Sequence, residues 1–158
     1  MTKIYCFSLA MIVITMAFVL PVYADDVPPP AGWESVIPLL STADVNNGQK
    51  VSHVCGSCHT FDKGDGQKLG PNLYSIVNKT PGQTEGFPFS DAMKARQDKK
   101  WTYDALDRFL FDPKSYVPDT RMNFFGIKKT QDRADLIAWL RTQSDKPAPL
   151  PKRQKSKE

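Results

Sequence analysis

An all-α domain of short helices and long loops is what this chain of 158 residues predicts, and three observations carry the prediction. Apolar residues recur at helical spacing in separate stretches, while strand signals are weak and no internal repeat is apparent. The segment from Phe61 to Phe89 holds Gly64, Gly66, Gly70, Pro71, Pro81, Gly82, Gly86 and Pro88, so it reads as a loop. A loop of that length inside a compact domain signals function, and wrapping a bound group is the function that fits. The third observation is Cys55-Gly56-Ser57-Cys58-His59, two thiols followed at once by a histidine.

The elements follow in order. Lys3 precedes an apolar run from Ile4 to Leu20, and Pro21 with Val22-Tyr23-Ala24 offers a cleavage site before Asp25. Residues 1–24 therefore read as a signal peptide or, because the run approaches the length that crosses a bilayer, as a signal anchor with a membrane tether through residues 4–22. Cys6, inside that run, is apolar filler of the leader. Residues 25–40 carry Pro28, Pro29, Pro30 and Pro38, which suits an extended spacer. The compact domain is expected over residues 41–144. Ser41 and Asp44 form an S-x-x-D capping pattern ahead of a helix that runs through Val51 to the cysteines. A second helix follows Trp101, with Thr102 as its cap, Leu106, Phe109 and Leu110 at i, i+3 and i+4, and Pro113 as its stop. A third runs from near Thr130 to about Thr142, with Leu136, Trp139 and Leu140 on one face and Ala134 and Ala138 adding helix propensity. Residues 145–158, rich in Lys, Arg and Pro, form a basic disordered tail.

The tail distorts the bulk charge. The chain has 21 basic and 17 acidic residues, a formal charge of +4, but the stretch from Asp25 to Asp145 holds 15 basic against 16 acidic. A nearly neutral domain gives no expectation of a nucleic-acid partner, and any electrostatic docking must rest on where charges sit. The core is small and has no spare cysteine for a disulfide, so a bound group has to supply missing apolar surface.

The cysteine motif says what that group is. Each thiol can add across one vinyl of a porphyrin, and the adjacent imidazole of His59 then ligates the iron, which predicts one covalently attached haem c per chain. Zinc would need two further soft ligands, and beyond this motif the chain offers Cys6 and His53. A redox dithiol would need strand-helix-strand alternation, whereas Asp44 to Val54 reads as one helix. For the opposite iron position, removal of the leader leaves Met93 and Met122. Met93 sits in a potential helical turn and reads as core packing; Met122 follows the extended, proline-bearing Val117-Pro118-Asp119-Thr120-Arg121 and is the expected second ligand. His59 and Met122 together saturate the iron, confining it to one-electron exchange, so no catalytic residue and no enzyme activity are expected. The alternative is a haem enzyme or gas sensor with a labile sixth ligand, against which stands a Pro118 to Phe124 loop suited to presenting a methionine.

Further blocks give a more specific likeness: CGSCHTF, GPNL (Gly70 to Leu73), EGFPFSDAMK (Glu85 to Lys94), Trp101, DPKSYVPDTRMNFFGIKK (Asp112 to Lys129) and RADLIAWL (Arg133 to Leu140). In order and spacing the chain resembles class I cytochromes c of the mitochondrial and alphaproteobacterial type, and its proline-rich lead-in is similar to that of membrane-tethered bacterial members. The resemblance implies the small cytochrome c fold, helices and long loops wrapped around one covalently bound haem, with the first and last helices crossing so that Val51 packs against Leu136 and Trp139. It implies that Pro71 offers its carbonyl to His59. Trp101 and Lys79 would serve a haem propionate, Thr120 the Met122 loop, and Phe124 the exposed haem edge. It also implies that Lys68, Lys114, Arg121, Lys128 and Lys129 form part of a basic docking ring. The implied role is a monomeric periplasmic carrier, soluble or anchored to the inner membrane, working between a quinol-cytochrome c oxidoreductase and a terminal oxidase or similar acceptor.

The chain also departs from the family. Phe89 and Phe109 stand where mitochondrial members have tyrosines, and Met93 where they have a buried asparagine, which predicts altered hydrogen bonding in the pocket and a shifted potential. Gly48, Val51 and Ser52 replace the usual pattern in the first helix, where a phenylalanine is normal nearby. Val54 and Ser115 interrupt the basic ring, which predicts weaker docking or different partners. His53 reads as an exposed helix residue.

Overall fold

The computed structural model describes residues 29–151, so the leader, the first residues of the spacer and residues 152–158 of the tail lie outside the described residues. Five α-helices follow a 3-10 turn at Leu40–Thr42: α1 Val45–Gly56, α2 Asp91–Lys94, α3 Tyr103–Phe111, α4 Pro113–Tyr116 and α5 Thr130–Thr142. No strand occurs among the described residues, as the all-α expectation requires.

Helices α1 to α4 each start where a side chain satisfies orphan amides, whereas α5 begins after Lys129 without a side-chain cap. The Asp44 carboxylate accepts from the amides of Asn46 and Asn47 at 2.9 and 3.2 Å. Ser41 falls within the preceding 3-10 turn, so Asp44 alone supplies the cap. Thr102 caps α3 through the Ala105 amide at 3.1 Å. Pro113 does more than stop α3: Asp112 breaks the helix, and Pro113 opens α4 at a first-turn position where its missing amide costs nothing. Residues 57–90 contain no helix, matching the loop read from the glycines and prolines.

The first and last helices cross, and their closest approach is at Gly48, where a Cβ would lie 2.0 Å from the Asp135 carbonyl oxygen and 2.8 Å from Trp139 Cβ. Asp135 ties the crossing down by accepting from the Asp44 amide at 2.9 Å and from Asn47 Nδ2 at 2.7 Å. Phe61 meets Trp139 edge-on at 4.9 Å. The core gathers Leu106, Phe109, Leu110, Leu136, Ile137 and Leu140 from α3 and α5.

Packing extends past both expected domain boundaries. Val36 is fully buried and Leu40 nearly so, which makes the stretch around them a docked lead-in, not an extended spacer. Its prolines disfavour a regular helix but permit burial of the apolar residues between them. Trp33 joins it, with the Arg108 guanidinium over its ring at 5.2 Å. At the other end Asp145 pairs with Lys63. The Ala148 carbonyl accepts from Tyr103 Oη at 3.1 Å and Arg141 Nε at 2.5 Å, so the tail's first residues fold back on the domain.

Candidate haem site

The last turn of α1 delivers the motif. The amides of Cys58 and His59 both donate to the Cys55 carbonyl, at 3.0 and 2.9 Å, so the two thiols and the imidazole stand on one continuous turn. The thiols are not bridged to each other. Burial, with the neighbouring Cys58 sulfur, pushes the Cys55 thiol up to about 11. Lys68 reaches back to close the helix, donating Nζ to the Gly56 carbonyl at 2.9 Å.

Beyond His59 the chain turns and returns beside itself. The Gly70 amide donates to the Cys58 carbonyl at 2.8 Å and the Leu73 amide to Thr60 at 2.9 Å. Asn72 secures the turn through Thr60 Oγ1 and the Asp62 carbonyl, each at 2.9 Å. This return puts Gly70 and Pro71 against the imidazole. His59 Nδ1 donates to the Pro71 carbonyl at 2.7 Å, which fixes the tautomer and leaves Nε2 as the basic nitrogen. Burial lowers the affinity of His59 for a proton, the Pro71 bond opposes that shift, and the positive charge of Lys68 adds to it. A neutral imidazole is the form that binds a metal.

Met122 and Met93 sit in different settings. Met93 is buried on α2 within the core, its amide bonded to Ser90. Met122 is half-buried in the irregular stretch between α4 and α5 and borders the core, as do Cys55, Phe61, Leu73, Val77 and Ile127. Its amide donates to Thr120 Oγ1 at 3.3 Å, and Arg121 reaches across to the Pro88 carbonyl at 3.0 Å. Phe124 is half-buried and Phe125 exposed. Lys79 and Trp101 are brought together: the Trp101 amide donates to the Lys79 carbonyl at 2.9 Å, and the Asn78 amide to that of Trp101 at 2.8 Å. The Trp101 ring packs on Phe109 at 4.9 Å and on Tyr116 at 6.4 Å.

All five expected docking cations are exposed. Several also serve the fold: Lys128 Nζ donates to the Phe111 carbonyl at 2.6 Å, and Lys129 pairs with Asp132 at 2.9 Å. His53 is exposed on α1. Sequence reasoning did not single out Gly70 as a packing surface for His59, nor Asp107 and Arg133, a fully buried pair at 2.6 Å. The GPNL block held the first signal; a charged residue among the apolar positions of each helix held the second.

Paired unbridged thiols, a tautomer-fixed imidazole and a thioether on a loop bordering the core form a donor set that fits haem c, with half-buried apolar side chains left around it. The fold and the site thus define a small helical protein that attaches haem through a cysteine pair. Residues 45–144 match the cytochrome c family model. A cytochrome c homolog of Bradyrhizobium diazoefficiens is 45% identical over 122 residues, 77% of this chain and 66% of that protein. One of Rickettsia bellii is 38% identical over 104 residues, 66% of this chain and 60% of that protein. The chain thus spans less than two thirds of the length of these two relatives. The structure of cytochrome cH from Methylobacterium extorquens is similar with a TM-score of 0.59 and 37% identity, covering 63% of this chain and 99% of that one. The chain belongs to the cytochrome c family, whose members carry electrons on a haem c held by a cysteine pair, here Cys55 and Cys58.

Proposed function

We propose that this protein is a periplasmic one-electron carrier, exported by its leader and either released or held to the inner membrane through residues 4–22. It takes electrons from a quinol-cytochrome c oxidoreductase and passes them to a terminal oxidase or similar acceptor. The observation that carries this reading is the 2.7 Å bond from His59 Nδ1 to Pro71, which commits one ring nitrogen and leaves the other for iron directly after the two thiols. Bound haem supplies the Fe(III)/Fe(II) couple.

The chain's own residues do the rest. His59 and Met122 would both hold the haem iron, which would leave small molecules no open site on it. Thr120 and Arg121 hold the Met122 loop through their bonds to the Met122 amide and to Pro88. Trp101 and Lys79, joined by a backbone hydrogen bond, would serve a haem propionate, and Phe124 would shield the haem. Lys68, Lys114, Arg121, Lys128 and Lys129 meet acidic partner surfaces. Exposed apolar residues accompany these cations: Val54 at 51%, Leu69 at 84% and Phe125 at 90% exposure. Exposed apolar side chains and exposed cations are both components that transient docking faces use. The carrier acts as a monomer.

The test is an absorption spectrum of the purified exported protein, oxidised and reduced, with carbon monoxide then added. A low-spin spectrum, a near-infrared iron-thioether band and no carbon monoxide response are expected. A high-spin or carbon monoxide-binding iron would overturn the assignment of Met122 and favour a sensor or enzyme with a labile sixth ligand.

A further inference from the structure

Arg133 on α5 is wholly enclosed, yet its guanidinium serves three separate parts of the chain. Nε donates to Asp107 Oδ1 on α3 at 2.6 Å. Nη1 donates to the carbonyls of Ile127 and Lys128 at 3.0 and 2.8 Å, where the Met122 loop ends and α5 is about to begin. Nη2 donates to the Glu34 carbonyl of the lead-in at 2.7 Å. The second oxygen of Asp107 accepts from the Val36 amide, also in the lead-in, at 3.1 Å. One enclosed ion pair therefore joins the lead-in to the end of the loop that bears Met122.

A buried ion pair is costly to desolvate and is weak evidence of stability in itself. This one fixes geometry, because the planar guanidinium fork spans three backbone carbonyls that no helix or sheet would otherwise hold in register. The loop needs such help. It has no regular structure between Val117 and Lys129. Its far end is further set by the Ile127 amide donating to the Leu110 carbonyl at 2.7 Å and by the close approach of Gly126 to Phe111. The lead-in is held in turn by buried Val36 and Leu40, by Trp33 beneath Arg108, and by Thr130 Oγ1 donating to Glu34 Oε2 at 3.3 Å.

We propose that Asp107 and Arg133 are positioning residues for Met122, and that the lead-in from Trp33 to Leu40 is the brace that holds them, setting how readily the thioether leaves the iron. The proposal rests on the reading of Met122 as axial ligand. Contacts that must loosen for the loop to open raise the free energy of the open state, so a docked lead-in keeps that state rare. The segment into which the leader runs is thereby coupled to the axial ligand.

Imidazole binding to the ferric holoprotein reads this opening, because the thioether has to depart first. Three variants of the full chain separate the parts. Val36→Pro removes the lead-in amide that Asp107 accepts. Arg133→Lys keeps the charge beside Asp107 but loses the fork. Asp107→Leu combined with Arg133→Met replaces the pair by apolar groups, which avoids stranding a buried charge. Imidazole should bind about tenfold faster in each folded variant. The near-infrared iron-thioether band should vanish on heating before the helical signal does. A rate within about twofold of the native protein in Arg133→Lys and in the double variant would overturn the positioning role, even if both melt earlier. The same result in Val36→Pro alone would overturn the brace. Native protein without the thioether band would instead refute Met122 as ligand, and the proposal with it, before any variant is made.

Discussion

The His59 ring is packed on one side by backbone: a Cβ at Gly70 would lie 2.3 Å from its Cε1 and 2.6 Å from its Nδ1. An imidazole fixed by the Pro71 carbonyl cannot retreat without giving up that bond. Gly70→Ala should therefore cost about 3 kcal/mol through overpacking, read as a lower thermal midpoint of the holoprotein, and should weaken its low-spin spectrum. Phe109 occupies a second sensitive position, buried between Trp101 and Tyr116 with ring centroids 4.9 and 6.3 Å away. Phe109→Tyr would place a hydroxyl among these rings, and the reduction potential and the midpoint of the alkaline transition should both shift. Cyclic voltammetry and a pH titration of the near-infrared band check this. The Cys55, Cys58 and His59 motif could be read directly because its residues are close together in sequence. Arg133 and Asp107 could not, because a charge at an apolar helical position does not name its partner 26 residues away.

Helix boundaries were legible wherever a cap or a proline marked them, as at Thr102 and Pro113. The lead-in was not, since its prolines argue for an extended chain and its burial depends on an acceptor 71 residues later, Asp107. The crossing of α1 and α5 shows the same limit. Its existence followed from the family likeness, but Gly48 stood out only as a departure from the usual first-helix pattern, not as the point of close approach. The missing Cβ is what lets α1 lie against the Asp135 carbonyl, a backbone atom that cannot move aside as a flexible side chain could. Gly48→Ala should lower stability by about 3 kcal/mol in a denaturant titration. The near-infrared band of whatever remains folded should stay unchanged, because the strain falls on the helix crossing.

Across the whole molecule the near balance of charge between Asp25 and Asp145 leaves little net field to steer a partner. The exposed cations and the apolar Val54, Leu69 and Phe125 share the work of docking in the proposed carrier. Its association rate with an acidic acceptor should fall as salt rises, but only about tenfold between low and physiological ionic strength, a weaker slope than a strongly charged docking face would give. Stopped-flow mixing over a salt series measures it, and a rate indifferent to salt would remove the cations from the docking role. Phe125→Ala should slow transfer at every salt concentration without altering that slope.

Both ends of the described chain come to one helix. The lead-in delivers the Val36 amide to Asp107, and the tail delivers the Ala148 carbonyl to Tyr103, one turn earlier on α3. Ends that meet on one element can be joined by a short linker, and the exposed turn around Gly64 and Asp65 then offers a place to reopen the chain. Such a circular permutant would begin just after the haem motif and end with it. The helix that carries the thiols would then be made last.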